Sequence, residues 1–427
     1  MRKSRLSIKV GTKYLESYLI DFHIIYFMFM NNLYRIFGDA TLNNIYFIGS
    51  LVIIGLIASR RNTRLNIRKN LPLILICLVV LIWSADNIRS GNLYWSTVYS
   101  LLTITLLIVS TNSDWVEKAV SKLGRLSLIH VFATVLLFIT SPYLYKAIIL
   151  PFWNGAIPGG LSSINEAYKA GITSHYSTNG LYCSIAAIVF GSTAVVTTRR
   201  QFRKTQLLCI IAFFAIILTT KRAHLLFSFA ALLLVYYLCS PKDSLRKIFY
   251  VFAVIVMMFI LFVVIGQFVP VIGVVVDRFI GQEDISNGRF AFWEQAINLY
   301  RSNRLVGIGW GKYVSFNKWG TSVHNTYIQL LCETGLIGFT LFIFSMWYSF
   351  ASAIHMIRKE YFLLEEYERI GLAVSIGVQL FIILYCCTGN CFYDLTAIIY
   401  FVSIMISQAI SYGFNTKHSE INRNRGY

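Results

Sequence analysis

The chain has 427 residues, of which 56% are hydrophobic and 13% charged, and its formal net charge is +19. A soluble protein of this length could not bury so much apolar surface, so the composition excludes an ordinary soluble enzyme and indicates an integral membrane protein. In that class, positive charge reflects basic cytoplasmic segments, and we expect no nucleic-acid partner.

Apolar segments long enough to cross a bilayer recur along the whole chain. They predict an all-α polytopic membrane protein with about twelve transmembrane helices, a retained first helix and a single domain over residues 1–427. Most Lys and Arg residues fall in cytoplasmic segments if both termini are cytoplasmic, which favours that orientation. The predicted spans are 18–37, 42–59, 71–85, 94–111, 126–145, 180–198, 205–220, 223–240, 248–268, 328–356, 370–388 and 392–413.

Two polar segments interrupt this pattern, and we predict that both are external loops. The first covers residues 146–179 and the second, larger loop covers 269–327, between predicted helices nine and ten. A long loop in a polytopic protein commonly carries function, so the second loop is our candidate active-site segment. Helical spacing of four apolar residues predicts an amphipathic helix on the membrane surface there, with Phe290, Trp293, Ile297 and Tyr300 as its apolar stripe.

Several cations lie at or near the outer boundary. Lys221 and Arg222 stand between two apolar segments, and Arg289 starts the amphipathic helix. Snorkelling to lipid headgroups would account for the first pair, and a solvated helix end for Arg289. A guanidinium also grips phosphate in a bidentate fork, which makes Arg222 and Arg289 candidate anion ligands, with Lys221 beside them. Arg304 is a supporting candidate.

Candidate groups for proton transfer lie close to the same boundary. His324 precedes a membrane helix, and an imidazole can take a proton near neutral pH, although a structural role remains open. Asn325 could orient a hydroxyl or its neighbour. Glu333 lies deeper in the helix, where a carboxylate needs a partner, and we expect an arginine. His175, in the first loop, is a further supporting candidate.

Metal and cofactor patterns are absent from the sequence. The eight cysteines fall mostly in apolar segments and are typical of helix packing. The run Gly307-Ile308-Gly309-Trp310-Gly311 follows no predicted strand and lacks dinucleotide spacing. We therefore expect no cofactor and no bound metal. Tyr393 and Asp394, in the last connection, are weaker site candidates.

Several motifs of the second half together resemble the bacterial family of O-antigen ligases and polysaccharide repeat-unit polymerases. These motifs are Leu218-Thr219-Thr220-Lys221-Arg222, Asn287-Gly288-Arg289 with Trp293, Val306-Gly307-Ile308-Gly309-Trp310-Gly311, His324-Asn325-Thr326-Tyr327 and Glu333-Thr334-Gly335-Leu336-Ile337-Gly338. Lys221 departs from the family pattern, since many relatives have a small polar residue before the arginine.

The resemblance implies a metal-independent, inverting glycosyltransferase at the outer face of the cytoplasmic membrane. Its donor would be a glycan on undecaprenyl pyrophosphate, and its acceptor another lipid-linked repeat unit or lipid A–core. Arg222 and Arg289 would hold the pyrophosphate, and His324 would position or deprotonate the acceptor. Membrane lipid, a flippase and a chain-length regulator are the implied partners.

Three alternatives remain open at this point. The segments around His324 and over 171–180 favour a repeat-unit polymerase of O-antigen, capsule or exopolysaccharide over an O-antigen ligase. A lipid-linked oligosaccharide flippase is the rival from another class, although we find neither the internal repeat nor the interrupted helices that transporters often show. A structural membrane scaffold is the third possibility.

Overall fold

The structure, a computed structural model, describes residues 12–60, 67–197, 199–239 and 288–424, together with 257, 260, 263–268, 272, 273, 276 and 277. Long helices dominate the described part of the chain. They are α1 (Thr12–Phe37), α2 (Asp39–Arg60), α3 (Ile67–Trp83), α4 (Tyr94–Val109), α5 (Val116–Ile139), α6 (Tyr176–Val196), α7 (Arg199–Leu218), α8 (Arg222–Cys239), α9 (Arg289–Ser302), α10 (Thr326–Glu360), α11 (Glu366–Tyr385) and α12 (Thr396–Asn424).

Short helical turns fill several connections. They are Ala85–Arg89, a π turn at Tyr145–Ile149, Leu150–Phe152, a 3₁₀ turn at Ile164–Ala170, Tyr313–Phe316 and a 3₁₀ turn at Tyr361–Leu363. The described residues form no β-strand, and a single parallel bridge joins Gly159 to His175. The all-α prediction is confirmed.

Length and hydropathy make 7 of the described helices able to cross a membrane. They are Asp39–Ser59, Val116–Ile139, Tyr176–Val196, Arg222–Cys239, Thr326–Leu363, Glu366–Tyr385 and Thr396–Thr416. The protein is therefore a multi-pass membrane protein. Apart from 248–268, which lies largely outside the described residues, each predicted apolar segment coincides with a helix. The count of about twelve spans and the cytoplasmic placement of both termini stay predictions.

Three helices, α6, α11 and α12, form the centre of the bundle. Their side chains are mostly buried, and α6 packs on α5, α7 and α8, while α11 packs on α8 and α12. Burial on most sides explains their nearly uniform apolar composition, because a helix that is hydrophobic all round belongs in a core or a membrane. His175 lies in the connection before α6, and segment 386–391 lies in the connection between α11 and α12.

Helix α9 forms at the predicted place, but its apolar residues divide between two environments. Ala296 is fully buried, and the indole N–H of Trp293 donates to the carbonyl of Val323 at 3.2 Å. Phe290, in contrast, is 65% exposed. The predicted membrane-facing stripe is therefore wrong for Trp293, because α9 packs this side on the start of α10.

The long helix α10 is interrupted at Gly335, where φ and ψ are 62° and −169°. A break inside a membrane helix frees backbone groups that lipid cannot satisfy. Segment 304–309 supplies the partners. The bonds run from Ile308 N to Cys332 O (3.2 Å), Gly309 N to Glu333 O (2.8 Å), Leu336 N to Arg304 O (2.8 Å) and Ile337 N to Leu305 O (3.2 Å). The expectation of uninterrupted helices is therefore wrong at this position.

Candidate active site

The glycine-rich segment 307–311 packs backbone to backbone against the break in α10. Gly307 and Gly335 have positive φ angles of 66° and 62°. A Cβ on Gly307 would lie 2.4 Å from the carbonyl carbon of Glu333, and one on Gly335 would lie 2.3 Å from the carbonyl oxygen of Leu305. Only glycine combines this backbone conformation with so close an approach. The glycine-rich segment 307–311 and the motif around Gly335 therefore form the two sides of one contact.

Glu333 holds this contact from the helix side. Its buried carboxylate accepts hydrogen bonds from the backbone N–H of Gly311 at 2.6 Å and of Tyr313 at 3.0 Å, and from Nε2 of Gln329 at 3.2 Å. The expected arginine partner is therefore wrong, because backbone amides and an amide side chain solvate the carboxylate instead. Its role is to hold the loop on the helix.

The same loop is fixed to the end of α3. Trp310 N–H donates to the carbonyl of Trp83 at 2.8 Å, and the side-chain amide of Asn87 donates to the carbonyl of Trp310 at 2.7 Å. Lys312 forms an ion pair with Asp86. These contacts connect the N-terminal third of the chain to the candidate active-site segment.

The weaker candidates Tyr393 and Asp394 have structural surroundings. The Tyr393 ring stacks on the buried Trp310 ring with centroids 4.5 Å apart. Asp394 accepts a hydrogen bond from the backbone N–H of Thr396 at 2.8 Å and from its hydroxyl, which caps the start of α12. Packing and capping therefore account for both residues.

His324 stands in the turn that precedes α10, half-buried, with a φ angle of 54°. A residue other than glycine in this left-handed region is strained by about 1–2 kcal/mol. Its backbone N–H donates to Oδ1 of Asn390 at 3.1 Å, which helps to hold this conformation. Asn325 caps α10, since its Oδ1 accepts from the N–H of Ile328 at 3.1 Å. Asn325 thus fixes where the helix begins and where His324 stands.

Segment 386–391, between α11 and α12, gathers several of these groups. Nη1 of Arg289 donates to the carbonyl of Thr388 at 3.2 Å, and Asn390 holds His324. Thr326 contributes its N–H to the carbonyl of Cys386 at 2.8 Å and its hydroxyl to the carbonyl of Gly389 at 2.7 Å. The segment therefore fixes Arg289 and His324 relative to each other, although they are far apart along the chain.

Lys221 and Arg222 enter from the tight turn between α7 and α8. Thr220, with a φ angle of 57°, reverses the chain there. The Lys221 ammonium lies 3.9 Å from the ring centroid of Tyr176, at the start of α6. The stem of Lys221 packs beside Gly180, where an added Cβ would lie 3.4 Å from Cγ of the lysine. Arg222, the first residue of α8, follows directly and is half-buried.

His175 caps α6 with its side chain. Nδ1 accepts a hydrogen bond from the N–H of Ser177 at 3.0 Å, and the imidazole stacks on the Tyr176 ring with centroids 5.0 Å apart. The hydroxyl of Ser177 in turn lies 3.3 Å from that of Tyr385, on α11. Segment 146–179, the first predicted loop, is thus connected to α11, the helix that leads into segment 386–391.

Electrostatic coupling shows which groups converge. Burial lowers the pKa of His324, and the cations Arg289 and Lys221 lower it further. Burial, Lys221 and His324 together lower the pKa of His175 to about 4. The structure therefore brings together two neutral imidazoles and two cations from four separate segments. We call His175, Lys221, Arg289 and His324 the cationic cluster.

Arg304 lies elsewhere. It follows the C-terminal end of α9, whereas Arg289 starts that helix, so the two residues are on the order of 20 Å apart at 1.5 Å per residue. Its side chain is exposed, and its carbonyl serves the break in α10. The structure does not bring Arg304 to the cationic cluster, because a straight helix separates them.

Other features of the site were not predicted. Thr388 acts through its carbonyl, Asn390 through its side-chain amide, and Ser177 through its backbone N–H and its hydroxyl. Their signal in the sequence is polarity between apolar segments. No group of three or more His, Cys, Asp and Glu residues with metal-binding geometry occurs among the described residues. The cysteines there are all unpaired.

Comparison with known proteins agrees with the motifs. Residues 207–343 match the family model described as O-antigen ligase. The match covers α8, α9, the glycine-rich segment and the first part of α10, and thus includes Lys221, Arg289 and His324. No curated protein matches the chain. The family match supports a glycan-transferring membrane enzyme. Over this segment, about a third of its length, the chain is similar to the family described as O-antigen ligase.

Proposed function

We propose that this protein polymerises undecaprenyl-pyrophosphate-linked oligosaccharide repeat units into a surface polysaccharide, at the outer face of the cytoplasmic membrane. The cationic cluster is the observation that carries the proposal. It unites Lys221, Arg289 and His324, which lie inside the family match, with His175, which lies outside it. Such a cluster suits an anionic substrate with a hydroxyl acceptor.

Fixed cations can stabilise the negative charge that develops on the leaving group in this reaction. When the bond between the anomeric carbon and the pyrophosphate oxygen breaks, the bonding electrons stay on the leaving pyrophosphate. Lys221 and Arg289, with Arg222 beside them, would stabilise that charge. Preorganised charges of this kind are worth several kcal/mol in a partly desolvated site, and they do not require a metal ion.

His324 is suited to act on the acceptor. The acceptor oxygen attacks the anomeric carbon opposite the leaving group, inverts that centre, and transfers its proton to the imidazole. The lowered pKa keeps the imidazole neutral, and therefore able to accept a proton, at neutral pH. General-base catalysis of this type contributes about 10²–10⁴-fold in rate.

O-antigen ligase is the second candidate, because the matching family model carries that description. A ligase would use the same donor chemistry but transfer the finished glycan to lipid A–core. The interrupted helix α10 is the one observation that favours the flippase alternative. Its freed backbone groups, however, bind segment 304–309, so the described contacts explain the break without a transport path.

The proposal is tested by deleting the gene and separating extracted surface and lipid-linked glycans on a gel. A polymerase predicts that long chains vanish while single repeats remain. A ligase predicts long chains that stay on the carrier lipid. A normal ladder in the absence of a redundant enzyme would refute both.

Complementation distinguishes an enzyme from a scaffold. Alanine variants of Arg222, Arg289 and His324 should restore normal protein levels, yet at least two of the three should fail to restore product. Full activity of all three variants would contradict the proposed site.

A further inference from the structure

We propose that His175 is a ligand of the donor's pyrophosphate, and that it acts as a neutral hydrogen-bond donor through its Nε2–H. This inference rests on the proposed function, and it assigns the two histidines of the cationic cluster opposite roles. His175 donates a hydrogen bond to the leaving group, whereas His324 accepts the proton of the attacking hydroxyl. These roles depend on which nitrogen of His175 carries the proton.

The N-terminus of α6 selects the tautomer. A neutral imidazole has one N–H and one bare nitrogen, and the two exchange roles between tautomers. Nδ1 of His175 lies 3.0 Å from the backbone N–H of Ser177, which can only donate. Nδ1 must therefore be the bare, accepting nitrogen, and the proton is on Nε2. The pKa of about 4 keeps this neutral form at neutral pH.

The ring is also fixed in orientation. The Tyr176 ring stacks on one face, with an interplanar angle of 26°. Gly159 and Gly160 pass along the imidazole edge, where an added Cβ would lie 2.9 Å from Cδ2 and 3.3 Å from Nε2, respectively. The backbone N–H of Gly159 donates to the carbonyl of Ser174 at 2.8 Å, which holds this wall in place. Preorganisation of this kind is what a recognition group for a developing charge needs.

The charge around Nε2 favours an anion. His175 is half-buried, and Nε2 has no hydrogen-bond acceptor in the described part of the chain. Lys221 lies over the adjoining Tyr176 ring and acts electrostatically on His175. A phosphate oxygen near Lys221 could accept from Nε2–H as well. A protonated His175 would add charge but would lose its capping bond to Ser177.

Two substitutions separate the donor role from the capping role. His175→Asn places an oxygen where Nδ1 stands, and asparagine is a strong N-cap, so the variant keeps the cap but loses the donor at the ε position. His175→Gln places an amide N–H near the ε position but removes the capping acceptor. His355→Asn, on an exposed histidine near the C-terminal end of α10, is the matched control.

The first measurement is the affinity of purified protein in nanodiscs for inorganic pyrophosphate, together with the melting temperature. Loss of a hydrogen bond to a charged group should weaken binding at least about tenfold in His175→Asn, and less in His175→Gln. Melting temperatures should follow the opposite order, with His175→Gln the less stable. The control should match wild type in both.

Binding by His175→Asn at wild-type affinity, or no pyrophosphate binding by wild type, would overturn the inference. The deletion ladder judges the proposed function separately. A protein that makes long chains while its His175→Asn variant binds pyrophosphate normally would keep its function and lose only this role for His175. If the deletion leaves the glycan ladder unchanged but the His175 variants show the predicted order of affinities, the proposed function is wrong and His175 still binds pyrophosphate.

Discussion

The carboxylate of Glu333 offers a sharp test of how the glycine-rich segment is held. Both of its oxygens face N–H donors: Oε2 faces the amide of Gly311, and Oε1 faces that of Tyr313 and the side chain of Gln329. The orientation of Gln329 is fixed, because its Oε1 accepts from the N–H of Val323 at 3.3 Å. A group that faces N–H donors acts as a hydrogen-bond acceptor.

Glu333→Gln keeps the shape but replaces one oxygen with an NH₂ group. If that group takes the Oε2 position, it faces the N–H of Gly311, and otherwise it faces the N–H of Tyr313. Either orientation leaves at least one buried backbone donor without an acceptor, which destabilises the fold by about 1–3 kcal/mol. Glu333→Ala leaves both donors unpaired, at about twice that cost, and adds a cavity.

The assay is the apparent melting temperature of the purified protein in detergent, with Glu294→Gln on the exposed side of α9 as the control. The expected order is Glu333→Ala below Glu333→Gln, with the control equal to wild type. Product formation should fall with the Glu333 variants, because the same loop holds α10 at its interruption, and α10 directly follows His324. If Glu333→Gln has the same melting temperature as Glu294→Gln, the carboxylate does not hold the loop and the reasoning is wrong.

Three further predictions concern charge, packing and metal. The pKa of His324 is lowered by burial and then by Arg289 and Lys221, so activity should fall only as pH drops below 6.5. Arg289→Gln should move this acid limb of kcat/KM to higher pH, and an unmoved limb would exclude His324 as the titrating base. Gly335→Ala should destabilise the protein by more than about 1–3 kcal/mol, because alanine is strained at φ 62° and ψ −169° and its Cβ would also lie 2.3 Å from the carbonyl oxygen of Leu305. Gly55→Ala, in open space on α2, should not lower the melting temperature. Product formation in membranes should persist in EDTA, because Lys221 and Arg289 supply the positive charge; loss that Mg²⁺ restores would contradict this.

The long helices could be predicted because hydrophobicity is a local property. Every predicted span within the described ranges falls on a helix, and α9 begins at Arg289 as its residue pattern indicates. All four members of the cationic cluster were candidates from residue type and position, and three of them lie in the second half of the chain. The resemblance over the second half then raised their importance.

The remaining parts of the site depend on contacts between distant segments. Nothing in the residues near Glu333 indicates that its partners would be the amides of Gly311 and Tyr313, since those amides exist in any sequence. Arg304 was grouped with Arg289 because both are arginines in one loop, and only the straight course of α9 separates them. The positive φ angles of Thr220 and His324 could not be predicted from the sequence either, because threonine and histidine usually have negative φ angles.

The arrangement of charge also explains why the histidines and the cations belong in one site. Lys221 and Arg289 lower the pKa of His324 while no anion is bound, so the imidazole stays neutral beside two positive charges. A pyrophosphate between those cations would offset their charge and raise that pKa toward neutrality. The base would then hold its proton more strongly when the leaving group is in place than before it binds. Since a general base works best with a pKa near the operating pH, donor binding would itself prepare His324 for the acceptor.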